Sequence, residues 1–290
     1  MAFSVNTNVG AMVALQELNR TSKGLSTTES RISSGKNVNS TRDDSATFVT
    51  AQGLRGKQGD LKAVTSSLSN AKSVVDIAVS GTEQISDIVN EMKTLAKQAG
   101  DTTISATQRD SLNKDFIGLR ERIKTIVNTS EYNDKNLLKM ATTDTVTPLQ
   151  SLANVNPTPA SAFTPDTMTI TGSGLGLPKA ADAAAAFNDS TELTDAATAA
   201  TVDGYLSTYK TTVNNALSNL GTAARRIDSQ LTFTSKLADT IEAGIGNLVD
   251  ADMAKESARL TALQTKQQLG VQALSIANQS PQMIGQLFKG

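Results

Sequence analysis

The chain has 290 residues, with 27 basic against 28 acidic side chains and a formal charge of −1. Near-neutrality argues against a general affinity for nucleic acid or an anionic membrane, because net charge attracts neither. His, Cys and Trp are absent, which removes Ser-His-Asp and Cys-His catalysis, His/Cys zinc sites, His-ligated haem and every disulfide. A core with so few aromatic residues is built from Leu, Ile, Val and Ala, which favours helix packing over a sheet sandwich.

The start, Met1-Ala2-Phe3-Ser4-Val5-Asn6, has no basic region followed by an apolar one, so no cleavable signal peptide is readable. Residues 1 to 16 carry no charge, and apolar side chains recur at sevens: Ala11, Leu18, Leu25 and Ile32. Asp43 and Asp44, beside Arg42, read as a turn or local ion pair; a metal needs further ligands that no fixed spacing supplies. Gly35-Lys36-Asn37 is no Walker motif, lacking both the upstream Gly and the Ser or Thr.

From Leu61 an apolar stripe runs through Val64, Leu68, Ala71, Val75, Ala78, Thr82, Ile85, Val89, Met92, Ala96 and Ala99. Its 3-4 spacing predicts one helix of roughly 58 Å. Gly100-Asp101 predicts a break. Ser105 and Gln108 then form a capping box ahead of a second stripe, Leu112, Phe116, Leu119, Ile123 and Ile126.

Five of the six prolines, Pro148, Pro157, Pro159, Pro165 and Pro178, fall in the middle segment. Proline is expelled from helix interiors at roughly 3 kcal/mol, so this segment is the irregular part and the flanks are free to be helical. Met168 to Thr171 alternates like a short strand that pairs with a neighbour, and Asp182 to Phe187 reads as a helical turn or two. With few large apolar residues, the middle is expected to be an exposed excursion rather than a domain. Gly172-Ser173-Gly174-Leu175-Gly176 lacks phosphate-loop spacing and reads as a loop.

A third stripe joins Leu206, Tyr209, Val213, Ala216, Leu220, Ala223, Ile227, Leu231, Thr234, Ala238, Ile241, Ile245 and Leu248, and slips only between Ala223 and Leu231. Three such helices predict an antiparallel coiled-coil bundle formed by the two halves of the chain. Asp250, Asp252 and Glu256 mark the acidic first turn of a last helix. Along it Leu260, Leu263, Gln267, Gly270, Leu274, Ala277 and Ile284 keep 3-4 spacing, while Leu269, Val271 and Ile276 lie off that stripe. Gln267 to Phe288 carries no charge but six Gln, an Asn and a Pro, too polar for a membrane span. A helix with several apolar faces and amides in place of charges expects neighbours on several sides. One copy of each end cannot supply them, so the pattern points to self-assembly, in which an interior charge would be desolvated in every copy. Lack of Cys fits the cytosol and equally a secreted protein without disulfides.

Two segments carry a family resemblance. The first reads SVNTNVGAMVALQELNRTSKGLSTTESRISSGKNVNSTRDDSATFVTAQGLR, the second NLVDADMAKESARLTALQTKQQLGVQALSIANQSPQMIGQLF. Together they resemble the two ends of bacterial flagellin, above all in NTN, ALxxLN, RISSGK with NSxxDD, and LQTKQQLGxQALSIANQ; the match covers roughly residues 1 to 140 and 200 to 290. The implied fold is mainly α: a long antiparallel coiled-coil bundle and a terminal helix pair, with a small β-hairpin or irregular insertion in the middle. The implied domains are an N-terminal inner-tube helix and spoke (1–45), bundle helices (46–140), a variable surface-exposed insertion (141–200), a bundle helix (201–248) and a C-terminal inner-tube helix (249–290).

By the same resemblance, Ala11, Leu15, Leu18, Leu25, Ile32, Leu260, Leu263, Gln267, Leu274, Ala277 and Ile284 build the inner tube. Gly35, Lys36, Asn39, Arg42, Asp43 and Asp44 belong to a spoke that meets other subunits. The implied function is a structural subunit that self-assembles into the flagellar filament for swimming motility, without catalysis, metal or cofactor. The alternative is a hook–filament junction protein with similar ends. An enzyme of carboxylate or Ser/Lys type needs a cleft of converging ionisable groups, which long stripes do not offer. Implied partners are many copies of the chain itself, the filament cap, junction proteins, the flagellar export apparatus and an export chaperone on the C-terminal segment, with neither nucleic acid nor membrane. The implied location is extracellular, in the filament.

Overall fold

The computed structural model describes residues 8–154, 165–178 and 186–287, with 153–154 and 280–287 as backbone only. Among these residues the helices are α1 (Val9–Ser34), α2 (Ser45–Ala99), α3 (Ala106–Thr129), α4 (Ala196–Val249) and α5 (Met253–Leu287). The strands are β1 (Thr145–Val146), β2 (Leu149–Asn154), β3 (Pro165–Thr167) and β4 (Ile170–Thr171). Two compact units divide the chain within α2 and α4: Met1–Gln58 with Asp239–Gly290, and Gly59–Ala238.

The unit from Gly59 to Ala238 is the expected bundle. Leu68, Val75, Ile85, Val89 and Met92 of α2 are buried in one cluster with Phe116, Ile123 and Val127 of α3 and Leu206, Val213, Leu220 and Ile227 of α4. α2 and α4 run antiparallel: Lys72 pairs with Asp228, and the Lys93 ammonium donates to Ser207 Oγ at 2.7 Å. The exposed Lys72 pair sets alignment more than stability, since solvent screens it, whereas the Lys93 link is half-buried. Where the α4 stripe slips, Gln230 sits half-buried beside Leu231 and donates to the Gln150 carbonyl at 3.1 Å.

α3 starts where the capping box places it, with Ser105 and Gln108 bonded reciprocally. The Arg109 guanidinium donates from Nε to the Ala99 carbonyl at 2.8 Å and from Nη2 to Asp101 at 3.0 Å, closing the break after α2. One buried cation escapes the apolar pattern. Arg120 lies on the inward face of α3 and donates to the Thr191 carbonyl at 2.8 Å, while Asn113 Oδ1 accepts from Leu193 N at 2.7 Å. These two bonds fix the segment that leads into α4.

The middle is less exposed than expected. β1 pairs antiparallel with β4, and inside that pair β2 pairs antiparallel with β3, so the strands nest as an irregular hairpin. Of Met168 to Thr171, only Ile170 and Thr171 are in a strand. Met168, Ile170, Leu175, Phe187 and Leu193 are all buried against the bundle. The segment has few large apolar residues, but among the described ones it buries or half-buries each as a plug against the bundle. Phe187 lies edge-on to Phe116 and tilted on Tyr209, whose hydroxyl donates to the Leu175 carbonyl at 2.7 Å. Burial holds the Tyr209 phenol well above its ordinary pKa. Phe187 is in a bend, and the remainder of the expected helical turn, 182–185, lies outside the described residues. Gly172 is required for close approach, because a Cβ there would stand 2.7 Å from the Met140 carbonyl oxygen.

Phe116 is fully buried between these plugs and the α2 core. Phe116→Ala is expected to destabilise this unit by about 3–5 kcal/mol, read as a lower urea midpoint by circular dichroism at 222 nm.

Candidate functional site

The chain ends form a pair of helices, α1 and α5, within the other unit. Contacts run in opposite directions along the two helices. Asn8 Nδ2 donates to the Ala277 carbonyl at 2.7 Å; Leu18 lies over Gly270, and Leu263 lies over Gly24. At the far end Arg31 Nη1 meets Glu256 Oε1 at 3.4 Å. Large side chains face glycines in both directions, so the backbones approach closely and interdigitate.

Ala11, Leu18, Leu25 and Ile32 of α1 and Leu260, Leu263, Gln267, Leu274 and Ala277 of α5 are half-buried along this seam. Leu15 stands off it, 48% exposed, and the side chain of Ile284 lies outside the described residues. The recurrence at sevens omits the alternate seam positions. Ala14 is half-buried there, and Thr21 and Thr28 are buried. Their signal is the three-residue offset from Ala11, Leu18 and Leu25, hidden because threonine is polar.

Helix ends follow local chemistry. Asn8 Oδ1 accepts from Ala11 N at 3.0 Å to cap α1, which stops at Gly35 in a left-handed conformation, φ 69°. Asp252 Oδ1 accepts from Ala254 N and Lys255 N at 3.0 and 3.1 Å, capping α5. Of the three acidic residues expected in that first turn, Glu256 is in it and buried, and Asp250 pairs its backbone with Lys36.

The turn after α1 is held by backbone bonds to the α4–α5 junction. Ala251 N donates to the Gly35 carbonyl at 2.9 Å, and Asn37 N donates to the Val249 carbonyl at 2.7 Å. Val38, Ala51 and Val249 form a small buried cluster beneath it. Asp43 Oδ2 accepts from Asn39 N, Ser40 N and Ser40 Oγ at 2.9–3.1 Å. Asp44 accepts from Ala46 N and Thr47 N and, at 2.6 Å, from Thr47 Oγ1, so α2 begins at Ser45 rather than near Leu61. Arg42 N donates to Ser40 Oγ at 3.3 Å. The two carboxylates thus serve a turn and a cap. Among the described residues no group of three or more His, Cys, Asp or Glu is placed to hold a metal ion.

Off the seam, the pair presents Val9, Met12, Val13, Leu15, Leu269, Val271 and Ile276 to solvent. No described helix is long and apolar enough to cross a membrane. The result is an exposed apolar surface on a helical scaffold.

Comparison with known proteins agrees. The model of the bacterial flagellin N-terminal helical region matches residues 5–143, and that of the C-terminal helical region matches residues 204–288. The chain is 42% identical to flagellin FljM of Caulobacter vibrioides, covering 99% of this chain and 98% of that one. It is 36% identical to a flagellin of Brucella melitensis, covering 99% of both. A solved structure from Vibrio parahaemolyticus, described as a flagellar hook-associated protein, aligns with TM-score 0.55 at 13% identity over 72% of this chain and all of that one. That likeness concerns the fold alone. The chain belongs to the bacterial flagellin family. It is a structural subunit of the flagellar filament, and the junction-protein alternative is not favoured, because the full-length relatives are flagellins.

Hydrogen bonds from Asn39 and Ser40 hold the Asp43 carboxyl below its ordinary pKa, and those from Thr47 do the same for Asp44. A pKa lower in the folded state means the unfolded chain binds protons first. The stabilisation is therefore complete above the ordinary carboxylate range and lost as pH falls through the depressed values. With no His present, urea midpoints are expected to stay level from about pH 5 to 8 and to fall below about pH 4. The double variant Asp43→Ala/Asp44→Ala is expected to show a shallower acid decline; an unchanged slope would assign the loss to other groups.

Proposed function

We propose that the subunit joins its filament through the α1–α5 pair, which stands with copies from neighbouring subunits as the wall of an inner tube. The observation that carries this reading is the set of large apolar side chains left facing water off the seam, with Val9 67% and Ile276 69% exposed. Burying one such side chain contributes about 1.5–3 kcal/mol. The surrounding stretches, residues 1–16 and 267–288, hold no charge that would resist a dry interior. Ala11, Leu18, Leu25, Ile32, Leu260, Leu263, Gln267, Leu274 and Ala277 hold the pair together within one subunit. Leu15 and the off-seam residues meet other subunits.

The turn bearing Gly35, Lys36, Asn39, Arg42, Asp43 and Asp44 is the spoke, and its Arg42 side chain and carboxylates contact adjacent copies. The middle segment faces outward in the filament. The subunit is exported by the flagellar apparatus to an extracellular filament. An export chaperone shields the apolar faces of α5 before assembly, and cap and junction proteins meet the same end surfaces. The role is mechanical rather than catalytic.

Removing residues 251–290 is expected to leave a helical monomer that does not polymerise, checked by electron microscopy of chain seeded on filament fragments. Filaments from the truncated chain would overturn the reading. Two point variants separate seam from outer face. Leu274→Glu is expected to block polymerisation and loosen the pair, because the charge enters the seam. Ile276→Glu is expected to block polymerisation with unchanged helicity in the monomer; normal filament growth from it would count against an interface at that face.

A further inference from the structure

The seam between α1 and α5 is close to repetitive. On α1 it reads Ala11, Leu18, Leu25 and Ile32, with Ala14, Thr21 and Thr28 between them; on α5, Leu260, Gln267 and Leu274 alternate with Leu263, Gly270 and Ala277. Sliding one helix by a heptad therefore exchanges small and medium side chains for similar ones, and apolar packing alone separates such registers weakly. Two features break the repeat: the backbone bridge of Gly35 to Ala251 just beyond the helix ends, and charge at one place along the seam. Glu256 is 6% exposed, and its Oε1 lies 3.4 Å from Arg31 Nη1 and 3.9 Å from Arg259 Nη1. Its Oε2 and Arg31 Nε are buried with no hydrogen-bond partner.

An incompletely satisfied clamp of this kind is a poor source of stability, because desolvation offsets the attraction. Its energetic weight lies in the alternatives. Slid one way by seven residues, α5 brings Leu263 beside Arg31 and leaves that cation unpaired. Slid the other way, it carries Glu256 to the position beside Gly24, next to the exposed Lys23 and away from Arg31. Both outcomes separate Arg31 from Glu256 and leave the half-buried guanidinium without its carboxylate, a cost that near-equal apolar exchange does not offset.

We propose that Glu256, gripped by Arg31 across the seam and by Arg259 on its own helix, is the positioning side chain that, together with the Gly35–Ala251 bridge, fixes the register of the α1–α5 pair. The proposal concerns pairing within one subunit and stands apart from which outer face meets a neighbour. Register sets how far each helix projects beyond the other, and hence which apolar side chains any neighbour finds aligned.

The absence of cysteine makes register directly measurable. A Cβ at position 270 would lie 3.9 Å from the Leu18 Cβ, within disulfide range. Leu18→Cys/Gly270→Cys thus reports the native register. Leu18→Cys/Leu263→Cys and Leu18→Cys/Ala277→Cys report the two slipped ones. Each pair is placed in the full-length chain, oxidised before and after polymerisation, and quantified by non-reducing electrophoresis and peptide mapping.

In the otherwise unaltered chain the native pair is expected to form alone. With Glu256→Ala, the ratio of native to slipped cross-links is expected to fall about tenfold or more, and Arg31→Glu/Glu256→Arg is expected to restore it. Native cross-linking alone in Glu256→Ala, or slippage that the charge exchange fails to reverse, would overturn the proposal. So would loss of all cross-links in Glu256→Ala, which would make the clamp a requirement for pairing rather than for register. Because the monomer is read as well as the polymer, a variant that fails to polymerise still decides the matter. Normal register in a chain whose outer-face variants polymerise freely would refute the assembly surface and leave the clamp intact.

Discussion

Two helices can cover one seam of each other and no more. α1 and α5 fill that seam with Leu18 over Gly270 and Leu263 over Gly24, and their other sides still carry Val9, Met12, Val13, Leu269, Val271 and Ile276. No rearrangement of a single pair removes this excess, because turning one side inward turns another out. The bundle unit is in the opposite condition. Its three helices and the plugs of the middle segment enclose one continuous core. A flagellar filament subunit thus combines a unit whose apolar surface is largely enclosed with one whose apolar surface exceeds its partners.

Charge is distributed to match. In the bundle, ionic and polar links such as Lys72 with Asp228 and Lys93 with Ser207 tie helices together at their edges. In the terminal pair, formal charge is concentrated toward the end near the α4–α5 junction, where Arg31, Glu256 and Arg259 meet. Asp43, Asp44, Asp101 and Asp195 share a different task. Each accepts backbone N–H bonds at a turn or helix start, and each is held below its ordinary pKa, Asp44 chiefly by the Thr47 hydroxyl and the other three chiefly by those backbone bonds. These acidic residues are the punctuation of the chain.

Helical elements are legible wherever one period is repeated many times. The run from Leu61 to Ala99 and that from Leu206 to Leu248 lie on inward faces of α2 and α4 as spaced, and the Ser105–Gln108 box starts α3. The beginning of α2 is hidden because Gly53, Gly56 and Gly59 weaken the apolar period, while the Asp44 cap alone marks the start. Thr21 and Thr28 escape for a related reason: small polar groups fit a close seam that hydropathy does not register. Plugs such as Leu175, Phe187 and Leu193 are isolated apolar residues with no period at all, so their burial is decided by contacts distant in sequence. Arg120 and Glu256 are illegible as buried groups, because nothing local distinguishes them from solvated charges.

The bond from Asn8 to Ala277 closes a loop of 269 positions. A nascent polypeptide therefore carries α1 without a mate until α5 has been synthesised. Long-range pairing of this kind is slow to nucleate and leaves apolar surface open meanwhile. The bundle, whose segments lie nested between the two extremities, has every opportunity to close first. The order in which the molecule matures is thus inscribed in its topology: interior of the sequence early, extremities last.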